Sequence, residues 1–246
     1  LISKIDTRGD GIPLVVFNPL GWARTDITEA DLFFSERGIR TVSLLDAEGK
    51  EVPIQVSDTI REGDGGLTQL KLFFVAKVVP ALGYAVYHAV ANRMPGGSNL
   101  HAPDRWFGRW TTSTAMKDTD SIENEFYQIT FNMWTGAMTG LQLTSDNTEF
   151  LSAPGNVVAR EHDGGDFWEL YGGLNGGRLI SMKTKHYPPK PGMAFFSNQQ
   201  VGGSGGIQHG PVFSEYGVNH AFGTGQFGTS VRLYKGIRRI DITTRI

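Results

Sequence analysis

Cysteine is absent from all 246 residues. Its absence excludes disulfides, thiolate zinc sites and cysteine nucleophiles. It fits a reducing compartment, and equally a cysteine-poor bacterial protein outside the cytoplasm. No Asn-x-Ser/Thr triplet occurs. That argues against a glycosylated eukaryotic secretory protein and makes the bacterial cytoplasm or periplasm the expected setting. Long apolar runs are also missing. The longest, such as 72–76, fall far short of the roughly 20 residues a bilayer-spanning helix needs. Lys and Arg are scattered and the formal net charge is −2, so neither nucleic acid nor an anionic membrane surface is an expected partner. The six histidines (His88, His101, His162, His186, His209 and His220) form no His-x-His or His-x-x-x-His pair. Zinc needs convergent ligands, so no metal or other cofactor is expected within this chain. The glycine run at 202–206 has no Lys-Ser/Thr after it and reads as a flexible loop, not a phosphate cradle.

What is present is strand pattern. Apolar content is 39% and charged content 20%, which is globular. Leu70, Leu72, Phe74, Ala76 and Val78 share one strand face, and Val52, Ile54 and Val56 share another. Tyr84, Val86, His88 and Val90 repeat the period, as do Tyr127, Ile129 and Phe131. Glycine-rich turns such as 63–66 interrupt the runs. The best helical stretch, 28–37, has room for one or two turns. The expected class is all-β and antiparallel. A Pro/Gly/Ser cluster at 92–98 marks a boundary. It divides a small β-sandwich at about 1–95 from a larger sheet system at 96–246. The chain opens without Met, and Ile240, Ile242, Thr244 and Ile246 alternate up to its last residue. This reads as a strand cut off in progress, and so as an excised fragment.

The stretch Val15-Val16-Phe17-Asn18-Pro19-Leu20-Gly21-Trp22-Ala23-Arg24 is the most informative. It reads as a short apolar strand stopped by a turn, with Pro19 fixing φ, Gly21 permitting a tight reversal and Trp22 supplying an apolar anchor. Further strings follow in order. They are Asp46-Ala47-Glu48-Gly49-Lys50-Glu51-Val52-Pro53-Ile54-Gln55, Val79-Pro80-Ala81-Leu82-Gly83-Tyr84, and Asn124-Glu125-Phe126-Tyr127 with Thr135-Gly136 after it. His209-Gly210-Pro211-Val212 and the segment 232–242 complete the set. From about residue 12 to 246 this ordered set resembles the β-rich C-terminal half of glycoside hydrolase family 38, the α-mannosidases. The resemblance implies a retaining α-mannosidase whose Asp nucleophile and zinc site lie in an N-terminal α/β barrel, followed by a three-helix bundle. Nothing here matches that barrel or bundle, so no catalytic residue carries over. The implied role is non-catalytic, with the zinc in the missing barrel and with the barrel and helix bundle as partners. The implied fold is a small β-sandwich followed by the first part of a mutarotase-like super-sandwich.

Two clusters could touch carbohydrate. In 161–169, Asp163 and Asp166 stand beside Trp168, so a ring could stack on a sugar while acids accept its hydroxyl protons. In 104–110, Trp106 and Trp110 flank arginines, a combination suited to a polyhydroxyl ligand or a domain interface. The plainer account is an acidic glycine-rich loop for the first and a linker packing its aromatics for the second. These residues open an alternative function, a carbohydrate-binding module with tryptophan platforms. A mutarotase-type epimerase is a third reading and needs a convergent acid/base pair.

Overall fold

The computed structural model describes residues 4–93, 119–160, 195–199, 204–222 and 225–246. The described chain is all-β, built of several antiparallel sheets in a sandwich-like arrangement, with no α-helix among the described residues. It divides into two compact units. One takes residues 4–93 with Gln208–Glu215 and Arg232–Ile240. The other takes the described residues from 119 to 207 with those of Tyr216–Val231 and Asp241–Ile246.

In the first unit, β1 (Ile12–Asn18), β3 (Thr41–Leu45), β4 (Glu51–Val52) and β7 (Gly83–Asn92) form a sheet ordered β1-β7-β3-β4. A second sheet, β2-β6-β5, comes from β2 (Arg24–Phe33), β5 (Ile54–Arg61) and β6 (Leu67–Val79). Period-two alternation sends Val42, Leu44, Tyr87 and Ala89 of the first sheet against Leu32, Val56, Leu70, Leu72 and Phe74 of the second. Phe74 and Tyr87 meet edge-to-face with centroids 4.8 Å apart. Val52 pairs with Leu44 in one sheet and Ile54 with Phe74 in the other. Pro53, which cannot donate to a ladder, is the corner where the chain changes sheets. The outer face of the second sheet is covered in turn, as Phe73, Ile27 and Val75 pack with Val212, Phe213, Tyr234 and Ile237.

The structure corrects three local expectations. The stretch 28–37 is not helical: Thr28 to Phe33 belong to β2, with Asp26, Thr28, Ala30 and Leu32 opposite Ala76, Phe74, Leu72 and Leu70. Cross-strand pairing overrides the weak helical pattern. Val78 leaves the face its spacing assigned. Arg24 pairs with Val79 and Asp26 with Ala76, so two residues of β6 stand against one of β2 in a bulge. Val78 takes φ of 50° and is 70% exposed, while Val79 turns inward. Third, Trp22 is 65% exposed, so its ring is not a buried apolar anchor.

In the second unit, β8 (Thr119–Glu123), β9 (Tyr127–Asn132) and β10 (Met138–Leu143) form a sheet ordered β10-β9-β8, and β11 (Ala159–Arg160) pairs with β12 (Phe195–Phe196). A further sheet, whose residues 208–209, 213–215, 232–234 and 240 belong to the first unit, runs in chain order: β13 (Ser204–His209), β14 (Phe213–Phe222), β15 (Gly225–Tyr234) and β16 (Ile240–Arg245). Buried Phe131 of β9 stacks on Tyr216 of β14 at 4.0 Å. Gly136, at φ of 75°, lies so close to Val218 that a Cβ would come within 2.8 Å of its side chain.

Candidate functional site

Asp163, Asp166, Trp168, Trp106 and Trp110 all lie outside the described residues. So do His101, His162 and His186, as well as the boundary expected just past residue 93. Among the described residues no three His, Asp or Glu side chains gather as metal ligands.

The strings that carry the resemblance do come together, in pairs. Asn18 at the end of β1 is buried. Its Nδ2 donates to the carbonyls of Trp22 (2.7 Å), Val79 (3.0 Å) and Pro80 (3.0 Å), and its Oδ1 accepts the Leu20 N–H at 3.1 Å. Leu82 N–H donates to the Leu20 carbonyl at 2.9 Å. One carboxamide therefore clasps the 18–22 turn to the 79–84 turn. The Trp22 backbone is used where the ring was expected. Gly21 does not take the left-handed conformation, and a Cβ there would meet nothing within 4 Å.

A second clasp joins 52–55 to 209–213. Gln55, buried on β5, accepts the N–H of Val212 (3.3 Å) and of Phe213 (3.1 Å). Gly210 passes so close that any Cβ would collide with the Gln55 carboxamide, 2.0 Å from its oxygen. Two other strings contain turns held from within. Asp46 Oδ1 accepts the Glu48 and Lys50 N–H groups, and Asn124 Oδ1 those of Phe126 and Tyr127.

A cleft of about 200 Å³ opens beneath the first clasp. β1 and β2 are edge strands of their two sheets, and the cleft lies where these edges leave the sandwich open. Val16, Ala76, Ile27 and Val79 line its apolar part, and Asn18, Arg24, Asp26 and Thr28 its polar part, with Phe17 at its border. Asp26 Oδ1 accepts Arg239 Nη1–H at 2.7 Å and the Ile27 N–H at 2.8 Å, while Oδ2 accepts a short hydrogen bond from Arg24 Nη2. Arg239 also stacks over Tyr234, 5.1 Å from its centroid. Phe17 is 54% exposed and neighbours the ring of Tyr84, itself 42% exposed, at 6.0 Å. Sequence reasoning took Arg24 as part of a string and passed over Asp26 and Thr28. The Asp26–Arg239 contact spans 213 residues, so no local spacing signals it.

Other charged or titratable groups are buried as structure. Glu215 and Arg232 form an ion pair, Oε1 to Nε 2.9 Å. The guanidinium lies over Phe213 (4.6 Å) and Phe73 (5.2 Å). Burial opposes its charge, but Glu215 and Tyr234 more than restore it, so Arg232 titrates above its ordinary range. Burial raises the Tyr216 phenol, whose oxygen has no hydrogen-bond partner among the described residues. Burial also lowers the His220 pKa, partly opposed by the Thr135 backbone. His220 lies flat on Phe227, centroids 5.4 Å apart.

No family model, no curated protein and no solved structure matches the chain. The architecture defines an all-β protein whose sequence-distinctive residues are turn and clasp residues.

Proposed function

We propose that this chain is the non-catalytic C-terminal β region of an α-mannosidase-like glycoside hydrolase. In this reading residues 1–95 are the small β domain and residues 96–246 begin the mutarotase-like super-sandwich. The parent enzyme hydrolyses α-mannosidic bonds with retention, using a zinc-bearing barrel upstream of these residues. The chain supports that barrel and borders its cleft.

One observation carries the reading. The strings that resemble the family dock onto one another as clasps, 18–22 on 79–84 and 52–55 on 209–213. Residues selected for such contacts build a scaffold. A retaining glycosidase instead needs two carboxyls about 5–5.5 Å apart across the scissile bond. The test is the purified 246-residue chain with an aryl α-mannoside. The expected result is no hydrolysis above background, and measurable turnover by this chain alone contradicts the proposal.

A further inference from the structure

The geometry points to the cleft beneath Asn18 as a binding site for a small anionic sugar, a single ring carrying a carboxylate or phosphate. This inference does not depend on the glycosidase reading. Size comes first. About 200 Å³ is below the ~300–1,000 Å³ of drug-sized pockets and suits one six-membered ring.

The polar groups then sort into spent and unspent. Asn18 is largely engaged, its amide on three carbonyls and its oxygen on Leu20 N–H. The Asp26 carboxylate is taken up by Arg24, Arg239 and Ile27 N–H. Each keeps about one acceptor lone pair, on Asn18 Oδ1 and Asp26 Oδ2, for a ligand's hydroxyl proton. Arg24 is different. Its side chain is nearly half exposed and, among the described residues, pairs with Asp26, leaving most of its five donors unspent. Thr28 also lines the cleft. Free donors of a planar cation select an oxyanion, which they hold bidentately. A threonine hydroxyl beside it selects a hydroxylated ligand over a plain aromatic acid.

The remaining surface accepts the ring. Val16, Ala76 and Val79 make an apolar floor. Phe17, exposed and with Tyr84 beside it, borders the cleft. The Asp26–Arg239 contact holds the base of Arg24's partner, so the fork is pre-oriented before ligand arrives.

Calorimetric titration of the full protein with glucuronate, glucose 6-phosphate and glucose tests the inference. Glucuronate, glucose 6-phosphate or both should bind saturably, and glucose at least tenfold more weakly. The two anions distinguish a carboxylate site from a phosphate site. Arg24→Gln should remove the preference for anions, and Thr28→Val should weaken binding several-fold at unchanged Tm. Arg24→Lys, which keeps charge but loses the fork, should be intermediate and stands in if Arg24→Gln fails to fold. Glucose binding as tightly as the anions, no saturation by either anion, or full affinity in both Arg24→Gln and Thr28→Val would each overturn it.

Discussion

Asn18 shows how one side chain can define a motif. Its amide serves three backbone carbonyls, and it is buried while doing so. Asn18→Ala removes the donor to the Val79 carbonyl in a buried contact, costing about 1–3 kcal/mol, so unfolding in urea should show a loss of at least about 1 kcal/mol. Gly21→Ala provides the contrast: with open space at its Cβ it should change stability by no more than about 0.5 kcal/mol. Equal losses at both positions would contradict the clasp. His220 carries a pH prediction. Burial lowers its pKa in the folded state, so below the unfolded value of about 6.5 the native state binds fewer protons than the unfolded one. Stability then rises with pH, and His220's share is complete above pH ~6.5 and lost on acidification through its lower folded value. His220→Phe keeps the stack on Phe227 and should flatten this acid limb in pH-dependent thermal melts. An unchanged limb would refute the assignment.

At the scale of elements, edges and corners decide what the sequence reveals. The period-two runs of β6 and β9 were legible because each buries one face: Leu70, Leu72 and Phe74 in one, Ile129 and Phe131 in the other. The bulge at Val78 was not, because a register shift needs the partner strand to be known. For the same reason β2 could pass for a helix until its pairing with β6 was seen. In β7 the visible run Tyr84, Val86, His88 and Val90 is the outer face, and the core receives the alternates Tyr87 and Ala89. Gln55 ties β5 to the turn before β14 across 157 residues. Gln55→Leu should leave the Val212 and Phe213 amides unprotected, costing about 1–3 kcal/mol. Hydrogen exchange should quicken at those two amides well before the core of β6. Unchanged protection there would remove the clasp from the account.

For the whole molecule, the fold class was readable because composition, missing helical periodicity and frequent turns all agree on an antiparallel all-β chain. The cleft was not readable. Arg24, Asp26 and Thr28 converge with Arg239 only after two sheets and a late segment have assembled around them, and pairwise spacing carries no trace of that. The tryptophans and acids at 106–110 and 163–168 lie outside the described residues, so the carbohydrate contacts expected of them stay a matter for mutagenesis. The central claim is membership of a larger α-mannosidase-like enzyme. Its most direct test is capture of the native protein from its source with an antibody raised against this chain, followed by assay of the captured material on an aryl α-mannoside. The account predicts a polypeptide much longer than 246 residues whose hydrolysis is abolished by a chelator and restored by zinc. A captured protein of about this chain's length, or one inert toward α-mannosides after zinc is supplied, would contradict it.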